Sequence, residues 1–114
     1  HKFMMASLDG ICRSELGNRI LEIKCNGRST HINCTNGNIP CHHWCQMQHQ
    51  MECANVNECW YLSYVPHDEY VTVVKRDEDF IKRLIKEEEQ FLYCVENFVS
   101  PLQFQREYIT QDAE

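Results

Sequence analysis

The chain has 114 residues, a length that supports one domain with one modest core. Hydrophobic residues make up 43% and charged residues 25%, which are ordinary fractions for a soluble globular protein. The net charge of −6 argues against a broad, non-specific nucleic-acid surface, although it permits a local basic groove. No apolar run approaches the roughly 18 residues that span a bilayer, and no signal peptide is visible. We therefore expect a cytoplasmic protein without a membrane partner.

Eight cysteines raise the alternative of a secreted disulfide scaffold. A long helical pattern over residues 77–99 argues against this alternative, because small disulfide domains are rich in loops. Cys25 and Cys59 also lie within apolar patterns, where a thiol serves as a small buried hydrophobe. Reduced cysteines are the favoured interpretation, and the disulfide alternative predicts a melting temperature that a reductant lowers sharply.

The first part of the chain predicts a β-hairpin followed by a loop. Residues 3–8 form an apolar strand candidate that ends at a turn signal, Asp9 and the glycine after it, and the next residues can continue the strand. Residues 19–25 form a second apolar strand that pairs back as a hairpin, which places Asp9 close to Glu22. Residues 26–40 are rich in asparagine and predict a long polar loop, either functional or mobile.

The second part predicts a helix, a second hairpin and a long helix. The helix covers residues 41–54, after a proline that suits a first helical turn. Residues 59–65 and 69–75 read as two strands joined by a short turn. Asp77 caps the long amphipathic helix, whose acidic start suits the positive end of a helix dipole.

These elements define a small α/β (α+β) sandwich in the order β-hairpin, loop, helix, β-hairpin, long C-terminal helix. We assign residues 1–100 to a single core domain. Residues 101–114 are then a polar C-terminal tail that acts as an extension or an interface arm.

Asp9, Glu22 and Lys24 form the first candidate site. Alternate side chains of a strand share a face, so Glu22 and Lys24 point the same way. Taken alone, this pair is most simply an ion pair at a sheet edge. With Asp9 across the hairpin, the two carboxylates and the lysine predict a hard-oxygen site suited to Mg²⁺ or Mn²⁺. Such an ion can activate a water, and the lysine can position that water or help neutralise a scissile phosphate.

The predicted helix 41–54 carries two pairs of residues that lie one turn apart. Gln46 and Gln50 share one face, and Met47 and Met51 share another. The methionine pair is predicted to be core. An inward-facing glutamine needs a polar partner, such as a water or phosphate near the metal, because an unpaired buried amide is unfavourable. Solvent-exposed glutamines are the equally open alternative.

Cysteine and histidine residues are concentrated on the same helix. Cys41, Cys45, His49 and Cys53 recur every fourth residue, so neighbours could share an ion such as Zn²⁺. Successive members drift around the helix, and one tetrahedral centre cannot take all four. Core cysteines with surface histidines are therefore favoured. Serine, histidine and aspartate are present, but no nucleophile elbow or phosphate-binding glycine loop accompanies them.

Five short segments occur in a characteristic order: Ala-Ser-Leu-Asp-Gly at 6–10, Leu-Glu-Ile-Lys-Cys at 21–25, Ile-Pro at 39–40 followed by Gln-Met-Gln-His-Gln-Met at 46–51, Trp-Tyr-Leu-Ser-Tyr at 60–64, and Val-Lys-Arg-Asp-Glu at 74–78. In this order they resemble motifs of the YqaJ-type viral recombinase family of phage exonucleases. That family is related to phage lambda exonuclease within the PD-(D/E)xK nuclease superfamily. Each motif alone is weak, whereas five in order are specific.

The resemblance implies a restriction-endonuclease-like core that hydrolyses DNA phosphodiester bonds with Mg²⁺ or Mn²⁺. It implies Asp9 and Glu22 as metal ligands, with the backbone carbonyl of Ile23 completing the metal shell. Lys24 is then expected to activate the attacking water, and Gln46 to help hold water or phosphate. It further implies a ring-shaped homo-oligomer that encircles duplex DNA, degrades one strand from an end and feeds a strand-annealing partner in recombination.

Three departures from the family pattern shape the alternatives. Only eight residues precede Asp9, so we expect the family's N-terminal helical region, which supplies a further acidic ligand, to be missing. His43 stands where the family commonly has tyrosine, and Asn26 where it has proline. The lead hypothesis is a DNA nuclease core. The alternative is a catalytically incomplete nucleic-acid-binding or oligomerisation module that retains the fold.

Overall fold

A mixed β-sheet with two helices on it positions the candidate site. The structure, a computed structural model, describes residues 4–98, 100 and 102, and within these residues the chain has four strands and three helices. The strands are β1 (Gly10–Cys12), β2 (Arg19–Cys25), β3 (Glu58–Val65) and β4 (Asp68–Lys75), in the spatial order β1-β2-β3-β4. The helices are α1 (Arg28–Thr35), α2 (Cys41–Ala54) and α3 (Glu78–Asn97).

The hairpin predicted for residues 59–75 is confirmed, because β3 pairs antiparallel with β4. Residues 19–25 also form a hairpin as predicted, but their antiparallel partner is β1, which lies in the predicted continuation of the strand and not in residues 3–8. The two hairpins join through β2 and β3, which run parallel, and α1 and α2 form the crossover between these strands. Parallel pairing brings the carboxyl ends of β2 and β3 to one edge of the sheet, where sites commonly form. In the register of this parallel pair, the neighbouring residues are Ile20 and Cys59, Glu22 and Tyr61, and Lys24 and Ser63.

The core lies between the sheet and α2. Every second residue of β3 from Cys59 onward is buried, as expected for a strand with one covered face. Met47 and Met51 have no exposed surface, which confirms the prediction that this pair is core. The buried core residues are Ile20, Cys34, Met47, Met51, Val56, Cys59, Tyr61 and Val74.

A buried glutamine and an arginine fix α2 to the end of β4. The Gln48 amide nitrogen donates to the carbonyl oxygen of Lys75 at 2.9 Å, and its oxygen accepts from the backbone N–H of Asp77 at 2.8 Å. Arg76 pairs with the Glu52 carboxylate near the last turn of α2. Gln48 is fully buried, so satisfying both ends of its amide avoids the penalty of an unpaired polar group.

The strand predicted for residues 3–8 is wrong. The structure describes all of this segment except its first residue, and the described part is not a strand, since β1 comes after it. Its carbonyl oxygens bond to side chains of α2 instead. His49 donates to Met5 at 3.0 Å, and Gln50 donates to Ser7 at 3.1 Å. The helix therefore holds the segment that leads into Asp9.

The polar loop predicted for residues 26–40 is also wrong in part, because it contains α1. Gly27 precedes this helix without a side-chain cap, and serine, threonine and asparagine are poor formers of helix interiors. His31 and Cys34 are buried, so tertiary contacts stabilise α1 where the local sequence does not.

The helix predicted after Asp77 is confirmed as α3, and its first turn is acidic. The chain divides into two compact units, His1–Asp77 and Glu78–Glu114. The tail predicted for residues 101–114 lies outside the described residues apart from Leu102. Its boundary therefore stays a prediction. Within the described residues, no helix has the length and apolar character that crossing a bilayer requires.

Truncation of Met51 tests the core. We expect Met51→Ala to lower the free energy of unfolding by about 2–5 kcal/mol, because it removes buried atoms and leaves a cavity. Met5→Ala is the matched control, since Met5 is 79% exposed. The control should change stability by less than about 0.5 kcal/mol. Urea unfolding followed by circular dichroism measures both, and equal effects would contradict the core placement.

Candidate active site

The Glu22 carboxylate is the centre of the candidate site. Glu22 is only 4% exposed, and a buried carboxylate needs charge or hydrogen-bond partners. Its Oε1 lies 3.0 Å from Lys24 Nζ, and its Oε2 accepts a hydrogen bond from Gln50 Nε2 at 3.1 Å. Lys24 of β2 therefore contacts one oxygen of the Glu22 carboxylate, and Gln50 of α2 contacts the other.

The ammonium group of Lys24 bridges β2 and α2. Besides its contact with Glu22, its Nζ donates to Gln46 Oε1 at 3.1 Å. The Gln46 side chain is exposed, yet it is not without a protein partner. Gln46 and Gln50 lie one turn apart, and each reaches one charged group of β2, as their shared helix face predicts.

Asp9 reaches β2 beside Glu22. It directly precedes β1, where Gly10 pairs with Leu21, and its Oδ2 accepts from the backbone N–H of Ile23 at 2.8 Å. The predicted approach of Asp9 to Glu22 across the hairpin is therefore confirmed at the level of the backbone. The Asp9 carboxylate is exposed, whereas the Glu22 carboxylate is buried.

These donors fit a hydrated divalent cation. The Asp9 and Glu22 carboxylates and the Ile23 carbonyl are hard oxygen ligands, and Mg²⁺ usually combines one or two carboxylates with several waters. In the part of the chain that the structure describes, no group of three or more His, Cys, Asp or Glu side chains is placed to hold a metal. The donors therefore suit an ion that keeps part of its water shell and do not suit an all-protein cage.

The thiols do not form a reactive site. None of the eight cysteines, all of which lie in the described residues, forms a disulfide, and the Cys53 sulfur lies 3.5 Å from His49 Nε2. Burial, with a smaller contribution from the nearby Glu22 charge, raises the pKa of the Cys59 thiol to about 12. Desolvation also raises the pKa of Cys45. Raised values keep both thiols protonated, which is the opposite of an activated nucleophile.

A second polar cluster starts at Asn26 and covers the sheet beside the site. Asn26 Nδ2 donates to the Tyr61 hydroxyl at 3.1 Å and to the Ser63 hydroxyl at 2.9 Å. Because Asn26 supplies a donor to Tyr61, the Tyr61 hydroxyl hydrogen can go to His43 Nδ1, 2.8 Å away. No local sequence pattern predicts this cluster, because its members come from α2, from β3 and from the residue that follows β2.

The cluster continues to the turn between β3 and β4. The Ser63 hydroxyl lies 2.7 Å from His31 Nδ1, and His31 Nε2 lies 2.7 Å from Asp68 Oδ2. A carboxylate only accepts, so Nε2 donates to Asp68 and, in the neutral ring, Nδ1 accepts from Ser63. We call the connected set His43, Tyr61, Asn26, Ser63, His31 and Asp68 the polar network.

Asp68, His31 and Ser63 have the order of a catalytic triad, but they are structural. Ser63 has no exposed surface, and its hydroxyl already accepts from Asn26. A nucleophile must reach its substrate, and this hydroxyl does not. The Asp9, Glu22 and Lys24 group is therefore the better candidate for chemistry.

Burial lowers the pKa of His43, and the neighbouring His42 and Lys24 lower it further, while Glu22 opposes them. Burial raises the pKa of Tyr61 to about 12, against the hydrogen bond from Asn26. Both shifts favour the neutral forms. A neutral His43 ring with a free Nδ1 lone pair is the form that accepts from the Tyr61 hydroxyl.

The arrangement of the strands and helices is that of the restriction-endonuclease-like α+β fold. The family model of the YqaJ-like viral recombinase domain matches residues 1–57, half of the chain, and this segment contains the whole Asp9, Glu22, Lys24 and Gln50 arrangement. The chain belongs to the YqaJ-like viral recombinase domain family.

Solved structures of one alkaline exonuclease have the same fold. The crystal structure of LHK-Exo from Laribacter hongkongensis shares 29% identity with a TM-score of 0.64, over 83% of this chain and 48% of that chain. LHK-Exo in complex with dAMP shares 27% identity with a TM-score of 0.64, over 82% of this chain and 50% of that chain. This chain thus spans about half the length of either one. Among curated proteins, no relative matches.

Replacement of His43 tests the polar network. Because the pKa of His43 in the folded chain lies below the ordinary histidine value of 6.5, the unfolded chain binds more protons in mildly acidic solution. Stability is therefore lost as the pH falls through 6.5 towards the folded value. We expect His43→Gln, which keeps an acceptor for Tyr61, to make the free energy of unfolding less dependent on pH between about 5 and 7.

Denaturant unfolding at a series of pH values measures this dependence. His67→Asn is the control, because His67 is exposed in the β3–β4 turn with a positive φ that asparagine tolerates. An unchanged pH dependence in His43→Gln would show that His43 titrates alike in the folded and unfolded chains.

Proposed function

We propose that this chain is the core of a metal-dependent DNA nuclease of the phage-exonuclease type, which hydrolyses phosphodiester bonds. The observation that carries the proposal is the buried Glu22 carboxylate held against Lys24, with Asp9 beside it at Ile23. Membership of the viral recombinase domain family and the likeness to an alkaline exonuclease solved with dAMP support a DNA substrate.

In this proposal Asp9, Glu22 and the Ile23 carbonyl hold Mg²⁺ or Mn²⁺. When bound, such an ion acts as a Lewis acid and makes a water a better nucleophile. Two N–H groups of the Lys24 ammonium point to Glu22 and Gln46, and the third donates to the attacking water or to the scissile phosphate, where the positive charge offsets the negative charge that develops. The ion pair with Glu22 holds the Lys24 side chain in place at the site.

In this proposal Gln46 helps to position the water or the phosphate. Its Oε1 accepts from Lys24 Nζ, which leaves its NH₂ group as a donor for water or a phosphate oxygen. Since Gln46 is exposed, it is accessible to a bound strand. A linear DNA duplex is the proposed substrate, in recombination or end processing. A homo-oligomer and a strand-annealing protein are the further partners proposed.

The number of acids supports a second candidate. In the described residues no more than two carboxylates contribute to the proposed metal site. A chain that lacks a further acid could bind nucleic acid or assemble with other subunits without cleaving DNA. This non-catalytic module is the alternative that the next two experiments distinguish from a nuclease.

DNA cleavage is the direct test. We expect the protein with Mg²⁺ or Mn²⁺ to degrade linear double-stranded DNA, and Lys24→Ala to reduce the rate at least about 100-fold by removing a preorganised donor. Lys75→Ala is the matched control, because the Lys75 side chain is 73% exposed and pairs with Glu58. Absence of cleavage with both metals and with all types of DNA end would support the non-catalytic module.

A metal-binding experiment tests the proposed metal site independently of DNA cleavage. Calorimetric titration with Mn²⁺ should show binding to the wild-type chain, and Glu22→Gln should lose it, because a neutral amide oxygen binds a divalent cation far more weakly than a carboxylate does. Glu69→Gln, at an exposed residue of β4, is the control and should bind as the wild type does. Equal binding by Glu22→Gln would place the metal elsewhere.

A further inference from the structure

The side-chain amide of Gln50 has a hydrogen-bonded nitrogen and an oxygen without a hydrogen-bond partner in the described residues. Its side chain is 1% exposed, and its Nε2 donates one hydrogen to Glu22 Oε2 and one to the Ser7 carbonyl, each at 3.1 Å. Its Oε1 is buried and has no hydrogen-bond partner in the part of the chain that the structure describes. A buried acceptor left unpaired is unfavourable, so the arrangement calls for a donor at Oε1.

The orientation of the Gln50 amide is fixed by its surroundings. Exchange of its oxygen and nitrogen would point the oxygen at the Glu22 carboxylate and the Ser7 carbonyl, which both only accept. Two acceptor-to-acceptor contacts would replace two hydrogen bonds. The unpaired atom is therefore the oxygen, and its missing partner must be a donor.

The neighbouring protein groups do not supply that donor. Glu22 only accepts, and Lys24 is bonded to Glu22 Oε1 and to Gln46. A water molecule fits, because it donates to Oε1 and can bind a cation through its own oxygen. A water on a divalent cation is the stronger donor, since the cation polarises its O–H bonds.

We infer that Gln50 is a positioning residue of the metal site. Its Nε2 fixes the Glu22 carboxylate, and its Oε1 accepts a hydrogen bond from an ordered water that belongs to the hydration shell of the cation at Glu22. The second half of this inference rests on the proposed function, whereas the ordered water itself does not.

Gln48 is a matched control on the same helix. It is as buried as Gln50, but both ends of its amide bond to the backbone of Lys75 and Asp77, away from Glu22. Replacing either glutamine with methionine keeps the length of the side chain and removes its hydrogen bonds. Both variants should therefore lose stability, and only the variant at Gln50 should change the metal site.

The experiment is a calorimetric titration of the full chain with Mn²⁺. We expect Gln50→Met to weaken Mn²⁺ binding at least about 10-fold, the usual effect of losing a group that orients a ligand. Gln48→Met should lower the melting temperature without changing the Kd. If Gln50→Met does not fold, Gln50→Asn, whose shorter amide cannot reach both Ser7 and Glu22, replaces it with the same expectation.

Two results overturn the inference. One is a Kd for Gln50→Met equal to that of Gln48→Met. The other is a high-resolution crystal structure of the metal-free wild type without a water at Gln50 Oε1. If the wild type binds no Mn²⁺, the proposed function fails and the cation half of the inference fails with it. The same crystal structure then decides the part that does not depend on a cation, because a water on Oε1 supports the ordered water and its absence overturns it.

Discussion

The fold around the site depends on one buried charge, the Glu22 carboxylate. Leaving such a group without partners would be strongly unfavourable, so the elements that cover it must present a cation and a donor. Lys24 comes from the same strand face and Gln50 from α2. This requirement fixes the rotation of α2 over the sheet, because only one face of the helix can bring Gln50 to Glu22.

Along the parallel pair β2 and β3, the residues on the covered face change from apolar to polar. The pair Ile20 and Cys59 lies in the apolar core, and the next same-face pair in the register is Glu22 and Tyr61. Core and site thus share one surface, and α2 covers both. Its methionines fill the core, while its glutamines serve polar groups: one bonds to β4, one to Glu22 and one to Lys24. A rotation of α2 by one residue would therefore disturb packing and chemistry together.

Local pattern was sufficient for much of this structure. Asp9, Glu22 and Lys24 were found because a hairpin and a strand period act over a few residues, and the predicted helix at 41–54 has the ends that the structure gives α2. Other features depend on residues far apart in the chain. Helix α1 has weak local propensity and is held by the burial of His31. The parallel pairing and the unpaired oxygen of Gln50 likewise depend on partners that no window of sequence contains.

The polar network gives a physical meaning to two departures from the family pattern. Asn26 and His43 stand where the resemblance leads us to expect proline and tyrosine, and both contact the Tyr61 hydroxyl. Proline has no side-chain donor, so with proline at this position the hydroxyls of Tyr61 and Ser63 would lose the donor that they share. Because Asn26 donates to the Tyr61 hydroxyl, this hydroxyl can donate its own hydrogen to His43 Nδ1. Only the neutral His43 ring has a lone pair on Nδ1, so this hydrogen bond favours the neutral ring. A neutral ring adds no positive charge beside Lys24, so Lys24 remains the cationic partner of Glu22. The two residues therefore act on one hydroxyl group, which accepts from Asn26 and can donate to His43.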